Sequence, residues 1–141
     1  GYIVRNLGDQ VFSKYYFALA SHQEKTIYLT GGSDNQAGFT DSQADRQCRQ
    51  YDIQSNQWTL MPKFKTARYA HSCCVLQSKL YAFGGLKANS FLDTIECLDL
   101  EGGKKWDSFR TPAFSARWNT AVAPINLNEM VIMGGRHEGG F

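Results

Sequence analysis

The sequence predicts an all-β chain, part of a β-propeller assembled from four-stranded antiparallel blades, and three observations carry that prediction. A diglycine closes an apolar run three times, at residues 27–32, 80–85 and 130–135, with intervals of 53 and 50 residues between them. Other landmarks keep the same step. Trp58 stands 26 residues before Gly84 and Trp106 stands 28 before Gly134, while Arg68 and Arg117 precede the same glycines by 16 and 17. No helix-length window carries a 3.6-residue period; each unit breaks instead into short apolar runs between turn residues. Four short strands repeating at about 50 residues is the mark of a propeller blade.

In chain order, strands are expected at 15–22 and 26–32, then at 47–53 and 57–62 around the turn Gln54-Ser55-Asn56. The next unit supplies 71–77 and 79–85, joined at Gln77-Ser78 in a tight hairpin, and 94–100 and 105–110 around Glu101-Gly102-Gly103-Lys104. Residues 15–63 therefore read as one blade, 71–110 as a second, and 119–135 as the first two strands of a third. Carried backward, the register places Lys14 where the other units have arginine and Ile3 or Val4 where they have tryptophan, so 1–7 read as the last strand of a preceding, degenerate blade. A ring of about 4–8 such blades needs more chain than 141 residues, and the chain opens on Gly-Tyr-Ile-Val, so an excerpt of a longer protein is expected.

The physics of a blade assigns structural work to the landmarks. Gly31, Gly32, Gly84, Gly85, Gly134 and Gly135 end the second strands, where backbones of neighbouring blades converge and left-handed conformations are needed. Trp58 and Trp106 offer large apolar area to the layer between sheets, with Tyr51 beside them. Arg68 and Arg117 are expected to reach a carbonyl or carboxylate on an adjoining blade.

The order of arginine, two strands ending in Gly-Gly, Tyr51-Asp52, then Trp58 resembles the kelch repeat over nearly the whole chain, most closely from Tyr51 through Gly85. The last unit departs from that pattern at Leu98, in place of tyrosine, and at Asn126-Leu127-Asn128-Glu129, in place of a simple hairpin turn. A WD40 blade, suggested by Trp106-Asp107 and His71, runs about 40–45 residues and lacks the diglycine. The resemblance implies a protein-interaction scaffold or adaptor, such as a substrate-recognition subunit of a ubiquitin ligase or a cytoskeletal or ciliary component, in the cytoplasm. The alternative it leaves open is a propeller enzyme related to galactose oxidase, whose copper site needs converging tyrosine and histidine ligands.

Charge and motif content agree with a binding role. Fifteen Lys and Arg against thirteen Asp and Glu leave a net charge of +2, which excludes a nucleic-acid surface built on bulk charge. No apolar run approaches the roughly 20 residues of a membrane-crossing helix. His22, His71 and His137 show no metal spacing; Ser72, Cys73 and Cys74 follow His71, but neighbours along a strand point to opposite faces, so sequence adjacency makes no nucleophile–base pair. The diglycines precede no helix and are not phosphate cradles. Cys48, Cys73, Cys74 and Cys97 lie in apolar stretches without a CxxC spacing and read as reduced core residues of a cytosolic protein. No catalytic residue, metal ligand or cofactor is therefore expected.

In a blade whose strands alternate direction, the loops after second strands and the junctions between blades emerge on one face. That face collects the segment 33–46, residues 86–93 and Arg136-His137-Glu138, and each junction sets an aromatic after the basic landmark: Lys14-Tyr15, Arg68-Tyr69 and Arg117-Trp118. Tyr15, Asn35, Tyr69, Asn89, Trp118, Asn119, Arg136 and His137 are the expected protein-binding residues of that face, with other proteins as partners.

Overall fold

In the computed structural model, which describes residues 1–4, 14–34 and 44–139, every regular element is a strand. The first blade is a four-stranded antiparallel sheet of β1 (Ala18–His22), β2 (Thr26–Thr30), β3 (Cys48–Asp52) and β4 (Gln57–Leu60), in that spatial order. The second comprises β5 (Ser72–Leu76), β6 (Lys79–Phe83), β9 (Ile95–Asp99) and β10 (Asp107–Phe109), again in sequential spatial order. Between β6 and β9 a two-stranded ribbon, β7 (Leu86–Lys87) and β8 (Ser90–Phe91), occupies a stretch that the sequence marks only as loop. A third unit holds β11 (Trp118–Pro124) and β12 (Met130–Arg136).

The local chemistry explains these boundaries. Gln77 and Ser78 both take left-handed backbone conformations (φ +49° and +56°), the geometry of a two-residue hairpin whose twist matches its strands. At the turn after β3, the Asp52 carboxylate accepts the Ser55 amide at 2.7 Å and Asn56 turns left-handed at φ +58°. The turn after β9 repeats the device, with Asp99 accepting the Glu101 amide at 2.9 Å. Residues 1–4 form no strand and lie exposed; the remainder of the last strand expected at 1–7 falls outside the described residues.

Two apolar layers hold the units together. Between the first and second blades, Ala18, Tyr28 and Cys48 pack with Phe64 against Leu80, Ala82, Leu98 and Trp106. Between the second and third, Cys74, Phe83, Ile95 and Phe114 pack against Val122, Met130 and Ile132. Trp106 is fully buried, its ring 4.5 Å from Phe64, and its indole N–H donates to the Pro62 carbonyl at 2.8 Å. Trp58 is only half-buried; its ring lies tilted at 45° against that of buried Tyr51, 5.0 Å between centroids, on the sheet face turned away from the second blade.

The diglycines sit where backbones converge. A Cβ on Gly31 would stand 2.4 Å from the Arg68 carbonyl oxygen, and one on Gly84 would stand 2.4 Å from that of Arg117. Both glycines are left-handed (φ +57° and +56°), so space and backbone geometry both require glycine there. The following glycines complete the contact, Gly32 N–H donating to Arg68 O and Gly85 N–H to Arg117 O, each at 2.9 Å. Gly134 and Gly135 hold the same backbone conformation (φ +69° and +84°) at the end of the third unit.

A candidate protein-binding face

The loop face is organised by the junctions that lead into each blade. Tyr16, Ala70 and Asn119 occupy equivalent positions, and all three are left-handed (φ +56°, +52° and +55°). Their backbones link from blade to blade: Ala70 N–H donates to Tyr16 O at 2.7 Å, and Asn119 N–H donates to Ala70 O at 2.8 Å. Directly before them stand Tyr15, Tyr69 and Trp118. Tyr15 exchanges two backbone hydrogen bonds with Ser33, Tyr69 does the same with Leu86, and Trp118 pairs with Arg136.

Beneath this surface lies a buried ion pair. Arg68 and Glu96 are both fully buried and meet at 2.6 Å. The guanidinium also donates to the carbonyls of Gly84 (2.9 Å) and Thr94 (3.2 Å). Glu96 in turn accepts the backbone amides of Lys65 (2.6 Å) and Thr66 (3.1 Å), so its carboxylate clamps the junction between the first two blades. The expectation that Arg68 reaches an adjoining blade is thereby corrected. Its side chain stays within the blade it leads, because Glu96 and the Gly84 carbonyl lie directly above; only its backbone carbonyl ties to the blade before. Arg117 keeps one of these bonds, to Gly134 O at 3.3 Å, and another to the Ser115 hydroxyl at 2.6 Å. Lys14 takes the place in the first blade and is held by Asp34 and by Asp45 at 2.7 Å. Burial works to lower the Lys14 pKa, and the bonds to Asp34 and Asp45 outweigh it and raise it.

Next to Arg68 sits His71, whose Nε2 lies 2.8 Å from the Thr30 hydroxyl across the blade boundary. Burial, and after it the Arg68 charge, hold the imidazole well below its usual pKa. Cys48, Cys73 and Cys74 are buried free thiols and Cys97 is half-buried. Burial pushes the Cys73 thiol up to about 12 and the Cys74 thiol up to about 11, which removes nucleophilic character near neutral pH. Among the described residues, no three His, Cys, Asp or Glu side chains gather in a group that could hold a metal ion. Nor is any helix long and apolar enough to cross a membrane.

The expected binding residues divide by exposure. Asn89, Asn119, Arg136 and His137 are exposed, Tyr15 is 39% exposed, and Trp118 is half-buried. Asn35 lies outside the described residues. Tyr69, expected at the surface, is 2% exposed, and this is a correction. The unforeseen ribbon β7–β8 folds over it, Leu86 packs on its ring, and its hydroxyl donates to Ala88 O at 2.8 Å. Of these residues, His137 lines a cleft of about 490 Å³ between the second and third units, together with Phe91, Asp93, Ser115, Ala116, Arg117 and Glu138.

Two structural landmarks escaped the sequence reading. Phe64 and Phe114 plug the two blade boundaries, their rings 3.3 Å and 2.8 Å from where Gly31 and Gly84 would carry a Cβ. Each stands 20 residues before a diglycine (Gly84 and Gly134), a register visible in the sequence. Glu96 had no such signal, because the equivalent position of the first blade carries Arg49.

Comparison with known proteins fits this geometry. The kelch motif matches at residues 14–65 and 67–111, together well over half of the chain. Tip elongation aberrant protein 3 of Schizosaccharomyces pombe is 35% identical over 80 residues, covering 55% of this chain and 7% of that protein. Human Kelch repeat and BTB domain-containing protein 12 is 26% identical over 136 residues, 84% of this chain and 22% of its own length. Kelch domain-containing protein 3 of Rattus norvegicus is 30% identical over 119 residues, 80% of this chain and 30% of its own length. The chain thus spans less than a third of each of these relatives. Repeated diglycine junctions, four-stranded blades and a motif match running through both complete blades together show that this chain belongs to the kelch-repeat family.

Proposed function

We propose that the chain is part of a protein-interaction scaffold that binds its partner protein on the loop face, at the boundary of the second and third units. The observation that carries this reading is that Trp118 and Arg136 pair in the ladder with Asn119 and His137 directly after them, that His137 lines the cleft there, and that Asn89 is exposed in the turn of the neighbouring ribbon. Exposed polar side chains held on a rigid strand framework are the usual material of a recognition surface. One relative carries a BTB domain in its name, which supports the finer reading of an adaptor that presents a bound protein to other machinery. Another is named for tip elongation, and a cytoskeletal role stands as a second finer reading beside it. Buried free thiols support a reducing, cytoplasmic setting.

The test is affinity capture with the wild-type chain and an Arg136→Glu/Asn89→Lys variant, with captured proteins identified by mass spectrometry and circular dichroism recorded on both. The reading expects the variant to keep its β-sheet spectrum and lose specific partners. Capture of the same set by both proteins would show that the face does not bind.

A further inference from the structure

Each blade is entered past a cation, and the three cations differ in what neutralises them. Lys14 meets Asp34 and Asp45, and Arg68 meets Glu96. Asp45 leads into β3 and Glu96 lies in β9, so each complete blade supplies an acid from its third strand or just before it. Arg117 is the third of the series. Its unit holds only β11 and β12, and among the described residues no carboxylate forms an ion pair with it.

The seat for a carboxylate is nonetheless built. In the second blade Glu96 rests on three groups of one junction: the amides of Lys65 (2.6 Å) and Thr66 (3.1 Å) and Nη2 of Arg68 (2.6 Å). Phe64-Lys65-Thr66 and Phe114-Ser115-Ala116 stand 50 residues apart. The equivalent groups are therefore the Ser115 and Ala116 amides and the Arg117 guanidinium, and those three residues line the cleft of about 490 Å³. Arg117 is aimed as Arg68 is, Nη1 donating to Gly134 O (3.3 Å) where Arg68 Nη1 donates to Gly84 O (2.9 Å). Its Nη2, the atom that meets Glu96 in the second blade, meets the neutral Ser115 hydroxyl at 2.6 Å. With Nε on Ser115 O (3.3 Å), three of the five guanidinium N–H groups are engaged and two are left to give.

The place for a strand that would carry the acid is defined as well. In the second blade β6 holds β5 on one edge and β9 on the other, whereas β12 pairs with β11 alone among the described residues. The other edge of β12 is a seven-residue row of backbone donors and acceptors, which an added strand can satisfy. Glu96 stands opposite Ala82 of β6, and the residue 50 further on is Ile132 of β12. Two acids line the same cleft: Asp93, which accepts from Arg110 at 2.8 Å, and exposed Glu138. Their charge disfavours a dianion and leaves the cleft suited to one carboxylate.

We propose that the edge of β12 binds an extended segment of a partner protein, whose glutamate, opposite Ile132, enters the cleft and takes the Arg117 guanidinium with the Ser115 and Ala116 amides. This rests on the reading that the loop face binds a partner protein, and it names the chemistry of that partner. Charge-assisted bonds fix the register, and the strand ladder supplies the remaining contact.

The experiment is a nitrogen-15 NMR titration of the 141-residue chain with the peptide Thr-Ile-Glu-Ser-Leu-Asp-Leu, the β9 sequence with serine for cysteine. One control peptide carries glutamine for glutamate, and another exchanges isoleucine and glutamate, which turns the acid to the opposite face. The first peptide is expected to shift the amides of Ser115–Arg117 and of Met130–Arg136 saturably. Each control should bind about tenfold more weakly, and Arg117→Gln should bind the glutamate and glutamine peptides alike. Unchanged dispersion of the variant's spectrum shows that it folds; if it does not, the peptide comparison on the wild type decides. Equal affinity for either control, shifts confined to the edges of β4 or β10, or no saturable shift would overturn the proposal. Partner capture that still depends on Arg136 and Asn89 while the peptide fails to bind would sink this seat and leave the loop-face reading standing.

Discussion

Gly84 shows how a single residue can be fixed by two independent constraints. Its backbone is left-handed, and a Cβ would stand 2.4 Å from Arg117 O and 2.8 Å from the Phe114 ring. Gly84→Val meets both and should cost about 3 kcal/mol or more, read as a lowered urea midpoint. Tyr69 belongs to the same scale. Buried under the ribbon with its hydroxyl bonded, it should behave as a core residue: Tyr69→Ala is expected to cost about 3 kcal/mol in thermal melts. An unchanged melt would return it to the recognition surface. His71 gives the fold a pH dependence. Its folded pKa lies below the ordinary value of 6.5, so as pH falls the unfolded chain takes up the proton first. Stability contributed by the neutral imidazole is therefore complete at neutral pH and declines from about pH 6.5 downward. Urea midpoints should fall between about pH 7.5 and 5.5 in the wild type, and His71→Gln should remove most of that fall.

At the scale of elements, the tight hairpin between β5 and β6 holds a residue poorly suited to its place. Ser78 sits at φ +56° in the second turn position, where glycine is preferred. Ser78→Gly should stabilise the chain by about 0.5–1 kcal/mol, while Gln77 keeps its bond to the Leu127 carbonyl across the blade boundary. The two tryptophans separate two kinds of layer. Trp106 is fully enclosed between two sheets, and its truncation to alanine should cost roughly 3–5 kcal/mol. Trp58, half-buried on the outward face of the first blade, should cost measurably less in the same urea series.

For the whole molecule, stability is graded along the repeat. Every residue of β11 and β12 is at least partly exposed, whereas β5 begins with three buried residues and Leu80, Ala82 and Phe83 of β6 are buried. In a repeat array each unit leans on its neighbours, so the unit with one covered face opens first. Amide hydrogen exchange should be fastest in Trp118–Pro124 and Met130–Arg136 and slowest in β5 and β6. Uniform protection across all strands would mean that the chain folds as one cooperative body. A broad urea transition is the companion expectation, since half-covered sheets do not open at a single denaturant concentration.

The sequence by itself determined the repeat, and with it the all-β class, the hairpins, the four-stranded blades and the diglycine junctions. These are legible because they depend on local rules: apolar alternation, turn residues, and glycine where φ is positive. Arg68 was legible as a landmark and Phe64 could have been, since both recur in step with the glycines. Tertiary structure alone decided which partner each residue meets. Glu96 as the counter-ion of Arg68, the ribbon that buries Tyr69, and the bond from the Trp106 indole to the Pro62 carbonyl all bring together residues far apart in the chain. No local pattern records such contacts. They arise only when two sheets close on one another, and burial then settles which side chains serve packing and which remain free to bind.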